Sequence, residues 1–271
     1  MTSTARLALL ALALVGAFLV AIRLGSVPLT AREIALAARG IGDPTAVAIV
    51  RDLRLPRSVQ AALVGAALAA SGAAFQALLR NPLAEPYILG VSGGAAVGAV
   101  FAIVFGLAGT TWAIPLAAFG GALLAVALVL RIASSVGRAL DTRILLLSGV
   151  VVGAFFNACI LLALTSADTE SFRSAIFWMM GSFSGATWAG SGVLALYLIP
   201  ALGVLVALAR PLNLLSIGEE TAAYLGAPVE RTKLIAYATA SLLAAAAVRA
   251  SASARTRKVA PRSVAAGMRK R

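Results

Sequence analysis

Gly90-Val-Ser-Gly-Gly94 has the G-x-S-x-G spacing that, at a strand-to-helix turn, lifts a serine hydroxyl out for nucleophilic attack. That chemistry needs a base beside the serine, and the chain contains no histidine and no strand-like context around the motif. The glycines fit a different role. Gly90, Gly94 and Gly98 recur at four-residue intervals, which puts them on one helix face where a neighbouring backbone can come close. No G-x-x-x-x-G-K-[ST] occurs either, and the first lysine in the chain is Lys233, so there is no phosphate loop of that type. Any ATP hydrolysis connected with this chain belongs to a partner. The absence of histidine removes most metal and haem sites, and the lone Cys159 cannot form an internal disulfide. No catalytic residue, metal ligand or bound cofactor is assigned.

Two charged motifs suit recognition better than catalysis. In Arg54-Leu-Pro-Arg57 a proline stiffens the spacing of two guanidinium groups at the start of an apolar run. Such a pair suits carboxylates on a protein partner, or anchoring to lipid headgroups. Ser216-Ile-Gly-Glu219 has capping-box spacing, with Ser216 as the expected N-cap and Glu219 three positions on. Glu220 adds a second acid at the positive end of the helix dipole, while Gly226 and Pro228 mark the stop. A capped helix of about two turns is either a docking element or a plain surface helix.

The elements that must position these motifs are membrane helices. Hydrophobic residues make up 61% of the 271-residue chain and charged residues 12%, which excludes an ordinary soluble domain. Apolar runs at 7–22, 58–79, 93–108, 112–130, 144–165, 189–209 and 234–248 give an all-α, polytopic fold of about seven spans. The first run reads as an uncleaved span rather than a signal peptide, because Arg23 and Leu24 stand where a cleavage site would have to be. Residues 26–57 are expected to be a long polar connection, and 175–180 part of a short interfacial or re-entrant helix. Asp141 is placed to cap the fifth span; Asn157 inside it is expected to make one interhelical hydrogen bond.

Between the second and third runs lies Arg80-Asn-Pro-Leu-Ala-Glu-Pro-Tyr-Ile-Leu-Gly-Val-Ser. Asn81 is expected to start a single helical turn that Pro86 stops, and Ser92 to start the next helix. The third run is too short to cross alone, so residues 87–91 are expected to re-enter the membrane as irregular chain inside the protein or along a cavity. Basic residues cluster at 131–143 and 210–233, which places those loops and the N-terminus in the cytoplasm.

Four stretches, in order, resemble the permease subunits of iron–siderophore and vitamin B12 ABC importers. They are Arg54-Leu-Pro-Arg57, Asn81-Pro-Leu-Ala-Glu-Pro-Tyr-Ile-Leu-Gly-Val-Ser-Gly-Gly, Phe177-Trp-Met-Met-Gly-Ser182 and Gly218-Glu-Glu-x-Ala-x-x-Leu-Gly226. The likeness runs over residues 7–248. It implies a ten-helix subunit in the cell (inner or plasma) membrane, paired with a second permease subunit as a homo- or heterodimer. It also implies ATP-binding cassette ATPase subunits and a periplasmic or lipid-anchored binding protein that delivers an iron-siderophore, haem or cobalamin-type substrate. By resemblance Arg54 and Arg57 receive the binding protein. Asn81 and Leu83, with Asp141 and Thr142, form the cytoplasmic gate. Ser216, Gly218, Glu219, Glu220, Leu225 and Gly226 belong to the coupling helix for the ATPase. The competing class is a secondary transporter or channel, which would work without ATP.

The resemblance stops at Arg249, where the family continues into a Gly-Pro/Ala-Ile-Gly-Phe-x-Gly-Leu…Pro-His segment and three further spans. The last 23 residues carry eight basic residues and no acid. The expected organisation is therefore a permease domain over 1–248, incomplete beside the family, followed by a disordered or out-of-frame tail over 249–271. On this reading the chain as given is a truncated permease that could be inactive. A natural basic tail is the alternative, and no nucleic-acid partner is assigned.

Overall fold

The computed structural model describes residues 3–87, 90–107, 112–136 and 141–251, and among them every regular element is a helix. Six helices are long and apolar enough to cross a membrane, and Val91–Val104 is a shorter apolar one. Helix α1, Ser3–Arg23, is apolar all round, and among its described residues only Ile22 is buried. A helix of that kind faces lipid along its length.

The connection over 26–57 is not the polar loop expected from its charges. Thr30 and Glu33 close a reciprocal capping box on α2, Ala31–Ala38. Asp43 accepts from the Ala46 N–H and Pro44 opens α3, Pro44–Ala48. Ala37, Ala46 and Val50 then bury against one another as a small separate core. Caps and alanines outweigh the charges because, apart from Arg54, the charged residues are exposed. From α3 the chain winds through a π-helical segment, Ile49–Arg54, straight into α4, Leu55–Leu79. Pro56 is thus inside a continuous helix rather than in a turn. The wide π register puts the carbonyl of Arg51 opposite the N–H that Pro56 lacks, and the Trp188 indole N–H takes that carbonyl at 2.8 Å.

Helix α4 ends at Arg80, which adopts a left-handed conformation at φ 50° with its N–H on the Gln76 carbonyl. The next residues form a turn and not the single helical turn expected. The Asn81 side chain accepts the Leu83 N–H at 2.9 Å and its carbonyl accepts the Ala84 N–H at 3.0 Å, so this asparagine satisfies the backbone locally. The chain then climbs back beside α4: a Cβ on Gly72 would lie 3.6 Å from the Pro86 ring. Gly72 is two turns before the end of α4, about 12 Å along the axis at about 1.5 Å per residue. Ile88 and Leu89, part of the stretch expected to re-enter the membrane, lie outside the described residues. Helix α5, Val91–Val104, starts from Gly90 at φ 71°, so Ser92 falls in its first turn instead of capping it.

Helix α6, Ala113–Val136, runs past the expected end at 130 and carries Arg131 within it; Arg138 lies outside the described residues. Asp141 caps α7, Thr142–Thr165, by accepting the Arg143 N–H at 2.8 Å. The short α8, Thr169–Met179, is capped by Asp168 and followed by α9, Trp188–Ala207. The stretch over 213–233, where one capped helix from Ser216 is expected, holds more helix than that. It comprises α10, Ala209–Ile217, α11, Glu219–Tyr224, and the first turn of α12, Val229–Ser251.

Helix α12 is the axis of the bundle, packed against α4, α9, α6 and α5. Its run from Leu243 to Ala247 is buried throughout, since alanine lets neighbouring backbones approach closely. The seventh apolar run therefore does not end at Val248. The helix continues through Arg249, whose guanidinium lies 5.3 Å over the Trp112 ring, to Ser251, whose carbonyl accepts the Ser182 N–H at 2.7 Å. The rest of the expected tail, 252–271, lies outside the described residues.

Candidate functional site

The recognition residues fall at the two ends of the bundle. At one end the arginines of 54–57 separate. Arg54 is only 9% exposed, and its guanidinium donates to the carbonyls of Ile22 at 2.8 Å, Arg23 at 3.2 Å and Val27. The first two carbonyls close the last turn of α1 and the third lies in the linker after it; one arginine with five N–H groups serves all three. Gly25 leaves room for it, because a Cβ there would press to 2.6 Å from the guanidinium. The expectation that 54–57 presents two outward guanidinium groups holds for Arg57 alone. Arg57 is exposed and donates through Nε to the Phe183 carbonyl at 3.3 Å. Both arginines border a cavity of about 480 Å³ with Gly25, Leu53 and Phe183. At the exposed start of α8, the Ser171 N–H holds the Asp168 carboxyl below the ordinary aspartate value.

At the other end the structure brings three separate motifs together. Arg80, Asp141, Thr142, Gly218, Glu219 and Glu220 line one cleft of about 760 Å³. Leu83, at the tip of the Asn81 turn, is 86% exposed. Asn81 is half-buried, Asp141 exposed and Thr142 buried.

The capping box expected at Ser216 and Glu219 does not form. Ser216 is in the last turn of α10 and its hydroxyl donates back to the Asn213 carbonyl at 2.7 Å. Gly218 is the N-cap of α11, with no side-chain hydrogen bond. The reason is a stronger claim on Glu219: Lys233 of α12 is 2% exposed and its ammonium meets the Glu219 carboxylate at 2.9 Å. A buried ammonium without a counter-ion is far more costly than an unfilled cap. Glu219 and Glu220 still occupy the positive end of α11, which closes at Leu225 before Gly226 at φ 80°. Tyr224 and Leu225, at the far end of α11, stand 91% and 60% exposed.

The glycines of α5 meet α6. A Cβ on Gly94 would overlap the Gly121 carbonyl, one on Gly98 the Ala117 carbonyl, and one on Gly121 the Gly94 carbonyl. Gly90 is instead at the helix start, 3.4 Å from the Gly149 carbonyl by the same measure. Lys233 and Gly121 were not legible as site residues. The first sits at the edge of a polar run, and the second in an α6 segment without a motif.

A bundle with six helices long and apolar enough to cross a membrane, a surface arginine at one end and a cleft at the other defines a polytopic membrane protein. The model of the FecCD transport family matches residues 12–252, and the chain belongs to that family. It is 43% identical over 188 residues to the vitamin B12 import system permease protein BtuC of Escherichia coli O139:H28, covering 69% of this chain and 56% of that protein. To the protein of the same name from Shigella boydii serotype 18 it is 42% identical over 193 residues, covering 70% of this chain and 58% of the relative. The chain thus spans little more than half the length of these relatives. Among solved structures it is similar, at 30% identity and a TM-score of 0.73, to a transporter described as of metal-chelate ABC type in an inward-facing conformation. That likeness covers 88% of this chain and 73% of the other. It is a multi-pass protein of the cell membrane.

Proposed function

We propose that the chain is the membrane-spanning permease of an ATP-driven importer that takes a corrinoid or ferric-siderophore-like metal chelate from a binding protein. The observation that carries this reading is the cleft where the end of α4 at Arg80, the start of α7 at Asp141 and Thr142, and the start of α11 converge in a FecCD-family chain. In this reading α11 docks in a separate ATPase subunit through its exposed Tyr224 and Leu225, with Gly226 ending the helix at the contact. Asn81, Leu83, Asp141 and Thr142 form the gate on the cytoplasmic side. Arg57 receives a carboxylate of the binding protein, and Arg54 holds the α1–α2 linker in place behind it. The exposed apolar face of α7, with Val150, Val151 and Phe155, packs on a second permease subunit. Residues 1–248 make up the permease unit.

Close packing of α5 on α6 through Gly94, Gly98 and Gly121 would keep the short re-entrant helix fixed while the gate moves. The test is uptake of radiolabelled vitamin B12 into cells that lack their own B12 permease but keep the cognate ATPase and binding protein. Uptake that disappears when the ATPase cannot hydrolyse ATP supports the reading. Uptake that survives loss of hydrolysis would make the chain a secondary transporter.

A further inference from the structure

Lys233 and Tyr237 lie one turn apart on the buried face of α12, and between them they contact α11 and α4. Lys233 holds Glu219 of α11 at 2.9 Å. The Tyr237 ring packs on Phe75, with centroids 6.0 Å apart, in the last turns of α4 before Arg80 and Leu83. Its hydroxyl lies beside Thr142 at the start of α7. Tyr237 and Thr142 are both more than nine-tenths buried, yet in this structure neither hydroxyl completes a hydrogen bond.

We propose that Glu219, Lys233 and Tyr237 form a relay through which α11 moves the end of α4 and the start of α7, the latter through the adjacent Tyr237 and Thr142 hydroxyls. This rests on reading α11 as the coupling helix. The ion pair makes the first link stiff. Lys233 cannot release Glu219 without leaving a buried, unpaired charge, so the start of α11 and the first turns of α12 move as one body. The ring contact carries that motion to the end of α4. The Tyr237 and Thr142 hydroxyls are both buried and face each other across α12 and α7, so a small slide of α12 against α7 makes or breaks the contact between them. Lys233 and Tyr237 are positioning residues in this account, since neither contacts cargo.

Thiol-labelling rates test the relay on the full chain in liposomes, in a Cys159→Ser background with a cysteine at Leu83 or at Tyr224. Lys233→Met and Glu219→Gln should each change the rate at position 83 by at least about fivefold, the low end of ordinary coupling between sites. The reversed pair E219K/K233E should return it to the parent value. Tyr237→Phe should change the rate at 83 and leave that at 224 alone. Glu219→Gln keeps the side-chain shape and carries the test if Lys233→Met does not fold. Parent rates at 83 alongside altered rates at 224, or a reversed pair that restores neither, would overturn the relay. No ATPase is present in the assay. Failure of ATP-driven uptake would therefore sink the importer reading and leave this result standing.

Discussion

The Trp188 indole N–H donates to the Arg51 carbonyl at 2.8 Å and so ties the start of α9 to the π-helical segment ahead of α4. The pairing exists because Pro56 has no N–H for that carbonyl. Trp188→Phe keeps the ring and removes the donor. It should lower stability by about 1 kcal/mol, at the modest end because water can reach Arg51. Thermal unfolding in detergent measures it, and an unchanged midpoint would show that the bond is incidental.

Substitution at the α5–α6 contact should be far less tolerated than at open glycines. Gly94→Val drives a side chain into the Gly121 backbone and should cost roughly 1–3 kcal/mol, since neither backbone can yield. Gly65→Ala in α4 meets nothing within 4 Å and should be neutral or gain up to about 1 kcal/mol of helix propensity. Denaturant unfolding of the two variants side by side decides whether close packing or glycine content matters.

The two arginines should fail in different ways. Arg57→Glu should reduce binding-protein-dependent uptake to background at normal membrane levels of the chain, because the exposed group is lost or reversed. Arg54→Gln should lower the amount of folded chain, because three carbonyls at the end of α1 and in the linker after it lose their donor. Quantified membrane fractions beside uptake rates separate the effects; equal folding defects in both would remove Arg57 from docking.

The capping box of α2 should respond to acid. The Thr30 N–H, then its hydroxyl, hold the Glu33 carboxyl below the ordinary glutamate value. A carboxyl depressed in the folded state stabilises it above the unfolded-state value, and that contribution is lost as pH falls through the folded one. Amide protection factors over 31–38, taken relative to the intrinsic exchange rate at each pH, should therefore fall toward low pH, and Glu33→Gln should flatten the dependence. A profile identical in both proteins would assign the acid response elsewhere.

How far the chain could be read in advance depended on whether a feature was local. The membrane helices followed from apolar runs, and Asp141 and the stop at Gly226 from cap chemistry that acts within a few residues. The capping box at Ser216 failed although its spacing was right, because Lys233 claims Glu219 from another helix. The loop over 26–57 was misread for a related reason: all its charges but Arg54 are exposed, on helices whose small core, Ala37, Ala46 and Val50, leaves no strong periodic signal.

The sequence by itself determined that this protein is a membrane helical bundle, where its chain turns, and which family its motifs belong to, since hydropathy and turn chemistry are properties of short segments. Only the tertiary structure decided that Arg54 turns inward while Arg57 does not, that the alanine-rich last helix is the axis, and that Glu219 serves a lysine instead of a cap. Those outcomes depend on which distant backbone carbonyls and buried charges must be satisfied, a condition that exists only once the helices have packed.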